Sequence, residues 1–468
     1  MTARRTQGPV STFDENPMTR GTFMRVMATA AVLLLSATAL PAQGRRLTLA
    51  EAVHLAVQQN RILKIARLKV QENAHKKEGT RSDYFPVITN QSNALHISEL
   101  QQLSVPTGAF GTVAGVPIPS RNTALPQGNL TLYSSGTMIA QPLTQLLRIH
   151  EENRMAAAEI ATSQDDLKNA ENDIALQVHA LYYGILVAQL QKKAAEQQTS
   201  FSAENLRESE NDVRNGSALQ VAALQGRAEV LQGQQAVLTA DLQIQDSMVE
   251  LNDLLGLPLD TKLELDSEVE TNFETLPKAE YVKEAWEQNP KIHAAEEAVA
   301  KARAGVASAK TAYIPDITAF ARHSYQDGVP FFVHNFGTVG INLNYTLWDF
   351  GKRRATVRER ASQLAEAEQN LEHLREEVAV SVERSYNKLE RTRSMVNVAT
   401  QVAQLRQESE RLATNQAAQG IVLISDVRHA TAANYEAKAE LLQANLGYLL
   451  AQAELERTIG RAPGLTAP

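Results

Sequence analysis

The sequence predicts a mainly α chain of long, thin helices that also sends a few β-strands through a membrane. Three observations predict it. Alanine, glutamine, glutamate and leucine dominate while aromatic residues are 5%, a balance that suits long helices better than a thick globular core. The apolar stripes on the helical stretches are narrow and coiled-coil-like. The chain is also written twice, and in each copy the hydrophobic period switches from 3.6 to 2 just after a proline.

The first 42 residues read as a secretory signal. Arg20 and Arg25 precede the apolar run 26–40, and small residues follow, with cleavage expected after Ala42. These residues hold four arginines and two acids, so −7 overall less +2 leaves the rest at −9. That charge argues against nucleic acid as a partner. The chain has no cysteine, which excludes disulfides, thiolate metal sites and cysteine nucleophiles. Beyond the signal no apolar run approaches the ~20 residues of a membrane helix. Any crossing must therefore be made by strands of a closed barrel.

The duplication places the elements. With an offset of 229, 13 of the 43 positions from 47 to 89 are identical, among them Asn60/Asn289, Tyr84/Tyr313, Pro86/Pro315 and Thr89/Thr318. With an offset of 204, Leu143/Leu347, Tyr182/Tyr386, Gly216/Gly420 and Gly256/Gly460 match. The difference falls in a Gly/Pro-rich insertion, 104–129, in the first copy. A repeat of this length is a duplicated half rather than a solenoid unit. The organisation expected is a signal at 1–42 and one domain at 43–468, with repeats at about 47–258 and 276–462. Each repeat should run short helix, longer helix, strand pair, very long helix, glycine turn and return helix.

The helices are expected at 48–60, 61–83, 144–214 and 220–255, then 277–289, 290–312, 350–418 and 424–459. Ile174, Val178, Leu181, Ile185 and Ala188 form one seam, and Leu371, Leu374, Val378, Val382, Tyr386 and Leu389 the other. From Pro142 to Gly216 is 74 residues, roughly 110 Å of helix. The return arm to Gly256 covers roughly 60 Å and the helix from Asn60 to Tyr84 roughly 36 Å. The two shorter helices should therefore stack end to end beside the long one.

Strands are expected at 85–97, 129–142, 316–325 and 336–347. Val339, Ile341, Leu343, Tyr345 and Leu347 alternate with Gly340, Asn342, Asn344 and Thr346, which suits a strand between lipid and a wet lumen. The other strands alternate less cleanly. Pro86 and Pro315 mark the helix-to-strand junctions, because proline ends a helix and favours extended geometry in the residue before it. Four strands cannot close a barrel of at least ~8, so several copies must share one. Trp348 and Tyr345 are candidates for an interfacial aromatic belt, and Phe331 and Phe332 for the outer rim.

These motifs, "LTLAEAVHLAVQQN", "LPKAEYVKEAWEQNPKI", "AYIPDIT", "YTLWDFGKRRATV" and "GIVLISDVRHA", resemble in order and spacing the TolC-type outer membrane efflux proteins, over about 45–462. The resemblance implies a homotrimer with a shared 12-stranded β-barrel and a trimeric α-barrel tunnel of 12 helices. It implies a passive exit duct for efflux or type I secretion, with a periplasmic adaptor and an inner-membrane transporter (RND, ABC or MFS type) as partners and outer membrane lipid around it. It implies no enzyme activity and no cofactor.

It further implies an adaptor-docking tip at Gly216, Ser217, Leu219, Gly420, Leu423 and Ser425. Asp426 would form an acidic ring at the narrow end of the tunnel. Ala222, Val422 and His429 stand where the family keeps charged tip residues, so its closing network does not transfer. A ring of His429 side chains would instead make the constriction pH-sensitive. The histidines and methionines do not cluster, so no metal site is expected. The alternative is a periplasmic coiled-coil scaffold or adaptor without a pore, which would need neither alternating strands nor a duplicated hairpin.

Overall fold

The computed structural model describes residues 45–267, 275–329 and 332–464. The signal, and Phe331 at the expected rim, lie outside the described residues. A short strand, β1 (Arg45–Leu47), pairs with β8 (Leu263–Leu265), and among the described residues 45–47 and 262–264 form a small unit of their own. The rest forms the second unit.

In the first half α1 (Leu49–Gln59) and α2 (Arg61–Ser82) lead to β2 (Val87–His96). Four short strands follow: β3 (Gln102–Val105), β4 (Thr112–Val113), β5 (Val116–Pro117) and β6 (Thr123–Pro126). Then come β7 (Thr131–Pro142), α3 (Leu146–Arg214) and α4 (Gln220–Leu255). The second half repeats the order with α5 (Lys278–Gln288), α6 (Pro290–Thr311), β9 (Asp316–Asp327), β10 (Asn335–Asn344), α7 (Lys352–Ala418) and α8 (Ile424–Ile459).

The helix starts follow from capping chemistry. At α1, the Glu51 N–H donates to Thr48 Oγ1 at 3.3 Å and the Thr48 N–H donates to Glu51 Oε2 at 3.1 Å, a reciprocal capping box. Asn60 and Asn289 do more. Each breaks a helix pair, caps the second helix and clasps the far end of a return helix. Asn60 Oδ1 accepts from the Ile62 N–H at 2.8 Å, and its Nδ2 donates to Leu254 O at 3.0 Å. Asn289 Oδ1 accepts from the Lys291 N–H at 2.9 Å, and its Nδ2 donates to Thr458 O at 2.8 Å. Both asparagines are buried. Gly256 and Gly460 end those return helices with φ of 71° and 110°, the left-handed C-cap that glycine adopts without a Cβ penalty. The two shorter rods thus meet end to end beside each long helix, as the lengths require.

The long helices form an ordered wall. α4 packs on α3, α3 on α8, and α8 on α7. Above the return helices, α2 packs on α3, α3 on α6, and α6 on α7. Ile174, Val178, Ile185 and Ala188 are buried as expected, while Leu181 is half-buried and its neighbour Tyr182 takes the buried place. In the second seam Val378, Val382 and Leu389 are buried and Leu371, Leu374 and Tyr386 half-buried.

The strands form one antiparallel sheet in the order β10-β9-β7-β2. The pairing of β7 with β9 joins the two halves. Ile88, Ile139, Ala321 and Val339 make one row across all four strands. That face continues through Ile341 and Leu343, and Val339, Ile341 and Leu343 are 85%, 70% and 62% exposed in the single chain. The uneven alternation of β2 and β7 has a physical reason. On the same face Asn90 Nδ2 donates to Thr137 Oγ1 at 2.8 Å, and the Ser92 and Ser135 hydroxyls are bonded at 2.9 Å. Cross-strand polar pairs replace apolar residues there.

Two expectations need correction. The fourth strand stops at Asn344, not 347, because Tyr345 turns under the Arg353 guanidinium, 5.2 Å from its ring centroid. The 104–129 insertion is not a plain loop, since β3 pairs with β6 and β4 with β5 in nested hairpins.

Candidate functional site: the helix tips and the barrel junctions

Both hairpin tips reverse through a left-handed glycine, Gly216 at φ 77° and Gly420 at 72°. A Cβ at either would meet open space, so backbone conformation and not crowding calls for glycine there. The first reversal is closed by the Ser217 N–H and hydroxyl, both donating to Asp212 O at 2.9 Å. The second is closed by the Ile421 N–H donating to Gln416 O at 2.9 Å. Leu219 and Leu423 occupy the N-cap positions with no side-chain cap. They are 79% and 69% exposed, and Ile421 and Ile424 beside Leu423 are exposed too. Ser425 is half-buried. Each tip therefore presents a small apolar surface that nothing in the described chain covers.

Asp426 and His429 sit three residues apart on the first turns of α8. Asp426 is exposed, and its Oδ2 accepts from the Leu423 N–H at 3.2 Å. That bond satisfies a free helix N–H and places negative charge at the positive end of the helix dipole. His429 lies edge-on against Phe201 of α3, ring centroids 5.6 Å apart. Beside it Arg428 pairs with Glu204 at 4.0 Å. The structure thus ties His429 to its own chain's α3.

The barrel junctions are held by side chains the sequence did not single out. Pro86 and Pro315 lie immediately before β2 and β9. Gln141 Nε2 donates to Tyr84 O at 3.0 Å. The Thr144 hydroxyl donates to Pro315 O at 2.7 Å and accepts from the Ile317 N–H at 2.8 Å. The end of β7 therefore grips both junctions. At the other exit Asp349 accepts from the Gly351 and Arg353 N–H groups at 3.0 and 3.1 Å. Arg353 donates to Asp349 and to Thr346 O, both at 2.7 Å, and stacks on Tyr313 and Tyr345. The Asp349 carboxyl is held below the usual range, chiefly by the Arg353 hydrogen bond. Trp348 and Phe350 stand beside this knot, 75% and 92% exposed, their rings edge-on with centroids 6.0 Å apart.

One buried group away from the tips carries a pH dependence. His179 on α3 is buried, edge-on to Tyr183 at 5.7 Å and close under Gly464. Burial pushes its imidazole down to about 4, opposed only by the Pro463 backbone. An unfolded imidazole titrates near 6.5. The depressed value therefore contributes stability that is fully present above about pH 6.5 and is lost progressively as pH falls from there to about 4. The loss should approach about 3 kcal/mol. Urea unfolding midpoints at pH 7.5 and 4.5 check this: the difference should shrink in His179→Phe, and an unchanged difference contradicts it.

Among the described residues no group of side chains could hold a metal ion. No helix there is long and apolar enough to cross a membrane.

The sequence matches the family model for outer membrane efflux proteins over residues 52–257 and 281–461, once for each half. No curated protein matches it. Among solved structures, the chain is similar to the Campylobacter jejuni CmeC outer membrane channel, with TM-score 0.71 and 15% identity over 90% of this chain and 87% of that one. It is also similar to the Vibrio cholerae outer membrane protein VceC, with TM-score 0.67 and 15% identity over 88% and 96%. The open-state MtrE outer membrane channel of Neisseria gonorrhoeae gives 0.62 and 17% over 88% and 89%.

Proposed function

Because this chain belongs to the outer membrane efflux protein family and serves as an outer-membrane exit duct, we propose that three copies close edge to edge into one barrel and one helical tunnel. The observation that supports this is a pair of unpartnered edges on each chain. One edge carries β2, α2 and α4, and the other carries β10 and α7. Open strand edges do not persist in lipid. Four strands also fall short of the roughly eight a closed barrel needs.

The helix edges match in detail. On α4, Leu224, Leu231 and Leu238 recur every seven residues and are 62%, 58% and 70% exposed. On α7, Val398, Leu405 and Leu412 do the same at 62%, 72% and 45%. Counted from the tip glycines, Leu224 and Leu412 are each 8 residues away, Leu231 and Leu405 15, and Leu238 and Val398 22. α4 runs away from its tip and α7 towards its own. An antiparallel α4–α7 contact between neighbouring copies therefore brings like rungs together, as in a coiled-coil seam. Such a head-to-tail interface closes into a ring.

In that ring, Leu219 and Leu423 with the turns at Gly216, Ser217, Gly420 and Ser425 form the surface an adaptor protein docks on. An inner-membrane transporter supplies the energy. Three Asp426 carboxylates at the narrow end attract cations and hinder anions. Purified protein in a planar bilayer tests this. Discrete channels should appear with a cation preference, and Asp426→Asn should reduce that preference by a factor of about two or more. No channels, or an unchanged preference, would contradict the respective part.

A further inference from the structure

We propose that the polar face of the sheet holds a recognition site for organic anions that carry an aromatic ring, centred on Arg322. The four sheet strands β2, β7, β9 and β10 contain a single lysine or arginine, and it is Arg322. Among the described residues it forms no ion pair. It is exposed, on the face opposite the apolar row of Ile139 and Val339.

Two glycines make room for the site. A Cβ on Gly136 would lie 2.8 Å from Arg322 Nη2, so the guanidinium rests over that position. A Cβ on Gly340 would lie 3.1 Å from Phe320 Cζ, so the Phe320 ring rests there. Glycine inside a strand weakens it and marks a place of close approach. Here both glycines are opposed by the two side chains that define one hollow. Phe336, opposite Ser324 on the neighbouring strand, also lines it, as do Gln91, Asn93 and Thr338. The hollow measures about 360 Å³, within the size of small-molecule sites. A guanidinium recognises carboxylate or sulfonate through paired N–H donors. The flanking rings supply stacking surfaces, and the amides orient polar substituents.

The proposal rests on the duct reading only for the direction in which this face points, into the lumen. The hollow itself lies within one chain. Its occupants would be anionic aromatic molecules passing through the duct, held briefly at the outer-membrane stage.

The probe is naphthalene trisulfonate, with a naphthyl trimethylammonium as the matched cation, bound to purified full-length protein in a neutral detergent and followed by fluorescence. The parent should bind the sulfonate in a salt-sensitive way and not the ammonium. Arg322→Gln should weaken sulfonate binding by roughly tenfold or more, and Arg322→Lys by less. Equal binding of the two probes by the parent would overturn the proposal, as would equal sulfonate binding by parent and Arg322→Gln. Because binding is read on the chain whatever its oligomeric state, these failures are separate from a failure to form trimers or channels, which would overturn the duct assembly alone.

Discussion

Gly460→Ala is expected to destabilise the helical wall by about 3 kcal/mol, visible as a fall of several degrees in the melting of the helical circular dichroism signal. Two effects combine. Gly460 holds φ 110°, a conformation that strains any L side chain. An added Cβ would also lie 2.5 Å from Gln288 O and 2.8 Å from Asn289 Cα. Both contacts are backbone, so nothing flexible can give way. The same carbonyl region is where Asn172 Nδ2 donates to Gly460 O at 3.0 Å and Asn289 Nδ2 to Thr458 O at 2.8 Å. A shift of Gly460 therefore loosens the clasp joining α8, α6 and α3. Gly256→Ala provides the scale. Its φ is 71° and its nearest contact, Gln59 O, is at 3.0 Å, so its effect should be smaller. Equal melting of Gly460→Ala and the parent would contradict the clasp.

Leu231→Glu combined with Leu405→Glu is expected to abolish the trimer and leave folded monomers in detergent. Each leucine is more than half exposed in the single chain, so the change does little to the fold within one copy. In the proposed ring each rung is buried, and each leucine would contribute about 2 kcal/mol or more. Substitution adds the penalty of burying facing carboxylates. A closed ring repeats the rung three times, so the losses accumulate. Mass measurement under native conditions reads the result directly. A trimer that survives the double substitution would place these leucines outside the interface.

Much of the fold was legible in the sequence because its signals are local and repeated. The return helices at 220–255 and 424–459 end where glycine follows a long apolar period, and the structure has them there. The tip glycines were legible for the same reason: only glycine adopts the left-handed reversal freely. Asn60 and Asn289 showed as matched letters of the repeat, but their clasps to Leu254 and Thr458 join residues far apart in the chain. No local pattern reports such a contact. The β7–β9 pairing was invisible for that reason, as were the nested hairpins within 104–129, where short strands lack a readable period. Gln141 and Thr144 have no counterparts in the second copy, whose equivalent positions hold Tyr345 and Trp348, so the duplication gave no hint of the junction clamp. The outer heptads on α4 and α7 carry no local signal, because a stripe that waits for a second copy looks like scattered surface leucine until exposure is known.

The proposed tunnel closes only if α4 of one copy meets α7 of the next. The chain has no cysteine, so introduced pairs report cleanly. Leu231→Cys with Leu405→Cys, oxidised in purified outer membranes, should give a covalent trimer on a non-reducing gel. Leu231→Cys with Val398→Cys, one rung out of step and about 10 Å away along the helix, should not. Cross-linking of the mismatched pair alone, or of neither, would contradict the shared tunnel.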